Sequence, residues 1–353
     1  MDVKEPVKLT GYSRGSGCGC KISPAVLQEM LGTETETGHF PQLLSSHKNN
    51  DDAAAWELED GSVLLSTTDF FMPIVDDAFD FGRIAAANAI SDVYAMGGSP
   101  LMAIAILGWP IDKLPVSLAG EVMRGARHIC KEAGIPLAGG HTIDAVEPFF
   151  GLSVNGRVKK QELLLNSTAE AGDLLFLTKP IGSGIFSTAQ KRGLLQDQHQ
   201  SAWINNLTAL NKAGDGIAGK VKVSALTDVT GFGLLGHVFE MATAANLTAE
   251  LHYNKIPLLN GLQEYLSKKT IPDATFRNWN SYSAHTAFDK GVNVMEAFNV
   301  LPDPQTNGGL LIACKPEYVA KLQQLLTDNN VSFLQPVGEM KPAGEKRIFV
   351  KNV

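Results

Sequence analysis

Residues 62–107 read SVLLSTTDFFMPIVDDAFDFGRIAAANAISDVYAMGGSPLMAIAIL, and the class of fold turns on how they are read. Ser62 to Thr68 is apolar and β-branched and predicts a strand. Asp80 is expected to cap a helix that runs to Met96 and stops at Gly97-Gly98, and Leu101 to Leu107 predicts a second strand. Working outward, a helix is expected from Val116 to Ala133, ended by Gly134, then strands over Ile135 to Ala138 and Phe149 to Val158. Lys159 to Gly172 is polar and without period, which places a domain boundary there. Beyond it, strands are expected over Leu174 to Thr178, Val223 to Thr227, Leu247 to Tyr253, Leu310 to Ala313, Ser332 to Val337 and Arg347 to Val350. Helices are expected near Ile204 to Ala218, Leu234 to Ala245 and Pro316 to Thr327. Asp273 to Val300 has no clean periodicity, and no element is assigned to it. The pattern is two mixed α/β (α+β type) halves: 1–50 as a flexible glycine-rich N-terminal arm, 51–158 as a first domain and 173–353 as a second.

Composition narrows the function. A chain of 353 residues, 44% of them hydrophobic, is long enough for two cores of about 150 residues each. Its 37 acidic residues outnumber 30 basic ones for a net charge of −7, and no basic run stands out, so nucleic acid is not an expected partner. A polyanionic ligand such as a nucleotide triphosphate would need metal ions to supply positive charge. The cysteines, at 18, 20, 130 and 314, form no CxxC pair and no disulfide framework. Met1 to Lys8 is charged and lacks an apolar signal region. The longest apolar stretch, Leu101 to Ile111, is interrupted by Gly108 and Pro110 and is too short to span a bilayer. A cytoplasmic protein in a reducing compartment is expected.

Two features point to chemistry. Gly15-Ser16-Gly17-Cys18-Gly19-Cys20-Lys21 sets two thiols beside Arg14 and Lys21, whose charge is expected to lower a thiol pKa toward thiolate at neutral pH. The glycines leave the backbone free to approach a ligand. Carboxylates also recur where elements meet loops: Asp51-Asp52, Asp69 closing its strand, Asp92 one helical turn after Asn88 on the same face, and Asp228. Taken singly, each is a cap or a surface charge; together they suggest a hard-cation site for Mg²⁺. Gly139-Gly140-His141-Thr142, expected to follow a short strand, would offer backbone N–H groups to a phosphate or a sugar.

Two further patterns compete with this reading. Gly231-Phe232-Gly233-Leu234-Leu235-Gly236 matches GxGxxG, with Glu250 at the spacing of a ribose-binding acid, which would make an NAD-dependent oxidoreductase. Against it, Asp228 sits at the turn, where a bare carboxylate repels a pyrophosphate. Gly214 to Lys220 spells GxxxxGK, but Val221 stands where a phosphate loop needs Ser or Thr. A non-enzymatic reading makes Cys18 and Cys20 part of a soft-metal regulator, although two thiols do not complete a zinc site.

Gly17-Cys18-Gly19-Cys20-Lys21, Ser66-Thr67-Thr68-Asp69-Phe70-Phe71, Asn88-Ala89-Ile90-Ser91-Asp92, Ala138-Gly139-Gly140-His141, Thr227 to Gly233 and Asp303 to Gly309 together resemble the selenophosphate synthetase (selenide, water dikinase) family over nearly the whole chain. The last motif carries Asn307 where the family usually has Ser. The resemblance implies the two-domain aminoimidazole ribonucleotide synthetase-like fold, in which ATP, selenide and water give selenophosphate, AMP and orthophosphate with magnesium. It implies a homodimer joined through N-terminal strands, with a composite ATP site at the interface, and it leaves room for a protein that delivers selenium. By position, Cys18 would be the catalytic thiol and Lys21 a catalytic, phosphate-contacting residue. Asp52, Asp92 and Asp228 would ligate magnesium. Asn49, Asn50, Asp51, Asp69 and Asp92, with Gly140, His141 and Thr142, would contact nucleotide. Other members of the superfamily, an aminoimidazole ribonucleotide synthetase or a thiamine-phosphate kinase, would share the aspartates and glycines without needing the Cys18 to Lys21 arm.

Overall fold

The computed structural model describes residues 7–13, 15–22, 24–31, 40–45 and 50–353. In chain order the regular elements are α1 (Pro24–Leu31), β1 (Ala54–Glu57), β2 (Ser62–Phe71), α2 (Ala78–Ala95), β3 (Ser99–Trp109), α3 (Val116–Ala133), β4 (Leu137–Asp144) and β5 (Phe149–Lys159). The second half adds β6 (Leu174–Leu177), α4 (Ser183–Lys191), α5 (Asp197–Thr208), α6 (Ile217–Lys220), β7 (Val223–Asp228), α7 (Gly233–Ala244) and β8 (Leu247–His252). It ends with α8 (Leu262–Ser267), α9 (Asp273–Tyr282), β9 (Thr286–Phe288), α10 (Val294–Val300), β10 (Leu310–Cys314), α11 (Val319–Asp328), β11 (Gly338–Pro342) and β12 (Ile348–Lys351).

Two sheets organise these elements. The first has the order β1-β2-β5-β3-β4, antiparallel except for the β3–β4 pair. The second has the order β7-β10-β6-β11-β8-β12-β9, antiparallel from β7 to β8 and parallel beyond. Helix α2 is buried on every side from Ile84 to Ala95, as expected of a helix that is apolar all round. Its small residues allow close approach: a Cβ on Gly82 would lie 1.9 Å from Val122 O of α3. The hydrophobic core is continuous across both halves, running from Ile84 and Ile90 of α2 to Leu207 and Leu235.

The predicted helix α3 occurs with the expected bounds, and Gly134 ends it in the left-handed conformation (φ 79°) that favours glycine. Other expectations need correction. Asp77, not Asp80, caps α2, accepting the Asp80 N–H at 2.8 Å. The helix expected over Ile204 to Ala218 is instead α5, which ends at Thr208 where the Thr208 hydroxyl turns back onto Ile204 O; a short turn and α6 follow. No strand forms over Ser332 to Val337; the pairing strand is β11, which begins directly after it at Gly338. Asp273 to Val300 holds α9, β9 and α10, and α4 fills a segment given no element.

Candidate functional site

The buried face of α2 presents Asn88, Ser91 and Asp92 to the space between the two sheets. Polar groups at that depth need partners, and each has one. Thr67 of β2 donates to Asp92 Oδ2 at 2.5 Å, and Ser91 donates to Asp228 Oδ2 at 2.5 Å. Asn88 joins three segments: its Nδ2 donates to Asp69 Oδ2 at 2.5 Å, and its Oδ1 accepts from Asn307 N at 2.7 Å and from the Cys18 thiol at 3.3 Å. Asp69 lies inside β2, which runs on to Phe71, instead of closing the strand. Alternation turns Thr67 and Asp69 toward α2 while Thr68 and Phe70 face outward.

These side chains border a cleft of about 590 Å³ lined by Lys21, Asp51, Asp52, Asp69, Asp92, Asp228 and Glu240. Burial pushes the carboxyls of Asp52 and Asp92 well up, and neighbouring carboxylates add to the effect: Asp228 and Asp92 on Asp52, Asp69 and Asp228 on Asp92. Asp228 is pushed up to about 6 by burial, against the opposing Ser91 hydroxyl and the Lys21 charge. Thr227 donates to Asp52 Oδ1 at 3.0 Å. Lys21 lies 3.7 Å from Asp69, whose charge holds its ammonium protonated. Among the described residues no three such groups are already drawn into metal-holding geometry; one oxygen each of Asp52, Asp92 and Asp228 is engaged by a hydroxyl.

Two groups at this cleft, His237 and Glu240, were not singled out from sequence. Burial raises Glu240 to about 7 and lowers His237 to about 3. His237 Nε2 accepts the Thr230 N–H at 3.0 Å, which leaves its Nδ1 as the donor toward Glu240 Oε2 at 3.3 Å. Asn50, at φ 52°, donates to Glu240 Oε1 at 2.9 Å. The i, i+3 spacing of His237 and Glu240 on the apolar helix α7 was the available signal. Lys179 is buried as well, lowered to about 7 by desolvation, and donates to Asn307 O at 2.9 Å and Ala209 O at 2.7 Å.

Some of the expected site residues stand differently. Asp51 accepts from Asn166 N at 3.3 Å at the rim. Asn49 and Arg14 lie outside the described residues. Cys18 is 1% exposed, and burial, reinforced by Asp69, raises its thiol pKa in spite of Lys21; the expectation of a thiolate favoured by nearby cations is thus overturned for this arrangement. The Gly17–Cys18 stretch of the arm is packed: Gly17 N donates to Met72 O at 3.1 Å and Cys18 N to Thr306 Oγ1 at 3.0 Å. Gly140, His141 and Thr142 do not follow a strand ending at Ala138 but lie within β4, paired with Ala105 to Leu107 at the exposed edge of the first sheet. They do not line the carboxylate cleft of their own chain.

The GxGxxG stretch serves packing. A Cβ on Gly231 would come within 2.7 Å of Cys18 O, and Gly233 sits at φ 70° against the backbone of Leu301 to Asp303. β7 is an edge strand and β8 is four strands away from it, so β7, α7 and β8 do not form the parallel βαβ unit that a dinucleotide-binding GxGxxG needs; Glu250 pairs with Lys351 at 2.9 Å.

The comparisons agree with this architecture. The family described as AIR synthase related protein, N-terminal domain, matches residues 50–158, and its C-terminal domain matches residues 170–351. A selenide, water dikinase of Yersinia pseudotuberculosis is 48% identical over 98% of each chain, and one of Shewanella baltica is 52% identical over 94% of this chain and 93% of that one. Among solved structures, a thiamine-monophosphate kinase from Stenotrophomonas maltophilia superposes with TM-score 0.65 at 18% identity, covering 88% of this chain and 91% of that one. Hydrogenase maturation protein HypE, solved in complex with ATP, superposes with TM-score 0.64 at 18% identity, covering 87% and 83%. These two share the fold. At about half identity along nearly its full length, with the Cys18–Lys21 arm folded over a cleft of aspartates, the chain belongs to the selenide, water dikinase family.

Proposed function

We propose that this enzyme makes selenophosphate from ATP, selenide and water, releasing AMP and orthophosphate, in the cleft bounded by Asp52, Asp69, Asp92 and Asp228. The observation that carries the reading is the Asn88 bridge, which ties the Cys18 thiol and the Asp69 carboxylate to one side chain and so joins the arm to the cleft. Phosphoryl transfer depends mainly on positioning and on neutralising charge at phosphate oxygens. Lys21, kept protonated beside Asp69, supplies a compact positive charge to a phosphate. Cys18, a neutral donor to Asn88, is the group we assign to selenium.

Magnesium fits the donor set. Oxygen ligands from separate carboxylates suit a hard cation, and crowded aspartates whose burial disfavours their charge gain most from one. Asp52, Asp92 and Asp228 would hold it, and when bound it supplies charge neutralisation at the phosphates. Asn49, Asn50 and Asp51 are proposed at the nucleotide rim.

We also propose a homodimer. The outer face of the first sheet exposes Phe70 (52%), Ile104 (41%) and Ile143 (51%), an apolar surface that a second copy would cover. His141 shares the parity of Ile143 on that face, so dimerisation is how β4 with Gly140, His141 and Thr142 would reach a nucleotide. Four free thiols suit a cytoplasmic setting. Phosphorus NMR under anaerobic conditions with ATP, magnesium and selenide tests the reaction: a selenophosphate resonance with AMP is expected, and ADP as the sole nucleotide product would contradict it.

A further inference from the structure

Crowded carboxylates attract any hard divalent cation, so acidic residues alone do not separate magnesium from calcium. The two ions differ in how they use a carboxylate. Calcium surrounds itself with up to about eight oxygens and readily takes both oxygens of one carboxylate. Magnesium demands a near-ideal octahedron with ligands at about 2.1 Å, which the narrow bite of a bidentate carboxylate does not fit. Whether each aspartate offers one oxygen or two therefore bears on which ion is held.

At Asp52, Asp92 and Asp228 one oxygen is already taken by a hydroxyl. Ser91 donates to Asp228 Oδ2 at 2.5 Å, Thr67 to Asp92 Oδ2 at 2.5 Å and Thr227 to Asp52 Oδ1 at 3.0 Å. The alternative acceptor for Thr227, Asp228 O, is farther away at 3.4 Å. Among the described residues no hydrogen bond reaches the other oxygen of any of these three aspartates. Ser91 and Thr227 are fully buried and do not line the cleft, so they hold their oxygens back from it. The polarity at Ser91 is fixed as well: Asn211 Nδ2 donates to Ser91 Oγ at 2.8 Å and to Gly308 O at 2.9 Å, which commits the single hydroxyl proton to Asp228. Asp69 is different. Asn88 Nδ2 takes its Oδ2 and Lys21 lies 3.7 Å from its Oδ1, so both of its oxygens are engaged. The hydroxyl donors thus mark out the same three aspartates that are assigned to magnesium above.

We infer that Thr67, Ser91 and Thr227 set the metal selectivity of the cleft, each leaving its aspartate a single oxygen for the cation and so favouring magnesium over calcium. The inference rests on the magnesium reading above and adds the residues that decide between cations. None of the three is a ligand; they act through the carboxylates, as partners that orient metal ligands do.

Calorimetric titration of the full chain with MgCl₂ or CaCl₂, in the presence of a non-hydrolysable ATP analogue, reads the two affinities directly. Thr67→Val, Ser91→Ala and Thr227→Val are each expected to weaken Mg²⁺ about tenfold and Ca²⁺ by less than about twofold, because the freed oxygen lets the larger ion chelate. The preference for magnesium should therefore fall, whereas Thr67→Ser and Thr227→Ser, which keep the hydroxyl, should retain it. A role in packing alone would weaken both ions alike. Equal weakening of the two, an unchanged preference in the Ser91→Ala/Thr227→Val double variant, or a native protein that binds calcium as tightly as magnesium would overturn this inference, and the reaction would stand provided that the native enzyme converts ATP to AMP in response to selenide. A native enzyme that forms no AMP would instead overturn the functional reading, and this inference with it.

Discussion

Replacing Asp228 by Asn should stabilise the metal-free protein and destroy the enzyme. Asp228 is 1% exposed, and burial lifts its carboxyl from 3.8 to about 6. The folded state therefore holds the proton more tightly than the unfolded one. The stability contributed by this group is fully present below pH 3.8 and is lost as pH rises through about 6. At about 1.4 kcal/mol per pH unit, a shift from 3.8 to about 6 corresponds to about 3 kcal/mol of penalty at pH 7.5. Asparagine has no such titration, and its amide oxygen still accepts the Ser91 hydroxyl. In buffer with EDTA, Asp228→Asn should raise Tm at pH 7.5 by on the order of 5 °C, with little change at pH 4. At the same pH without EDTA, with Mg-ATP and selenide, turnover should fall by about 100-fold or more, because the cleft loses charge stabilisation at the reacting phosphates. Calorimetry across pH 4–8 and AMP release measure the two halves. A variant that is less stable than the native protein at pH 7.5 without metal, or one with full turnover, would refute the argument that Asp228 is kept at a cost to stability for its charge.

Cys18→Ser should abolish selenophosphate synthesis, because a hydroxyl yields almost no anion at neutral pH, while Cys20→Ser keeps substantial synthesis; both should bind Mg-ATP, as nucleotide titration would show. Asn88→Ala strands the Cys18 thiol and the Asn307 N–H and takes one donor from Asp69, which keeps Lys21, so it should cost about 1–3 kcal/mol per buried group left unpaired and expose Cys18 to iodoacetamide, read by mass spectrometry. Ile104→Glu places a charge on the exposed apolar face of the first sheet and should give a monomer in sedimentation at micromolar concentration, where the native protein is expected to sediment as a dimer; an unshifted dimer would place the interface elsewhere.

The sequence by itself determined the local elements whose signals are local. Val116 to Ala133 forms the predicted helix because its apolar stripe and its terminal glycine lie within one segment. The arm motif and the aspartate motifs were also legible, since each is a short run of specific residue types. Tertiary structure decided what depended on distant neighbours. Asp52 meets the hydroxyl of Thr227, 175 residues away, and Ser91 meets Asp228 across 137; no spacing rule reaches that far. Cys18 looked activated by Lys21 in the linear chain. Folding buries it beneath Thr306 and Asn88, and desolvation, which depends on everything packed around the sulfur, outweighs the neighbouring charge. Gly139-Gly140 read as lying past the end of a short strand, yet β3 pairs with β4 through Asp144, because ladder hydrogen bonds to an adjacent strand override the conformational freedom of glycine.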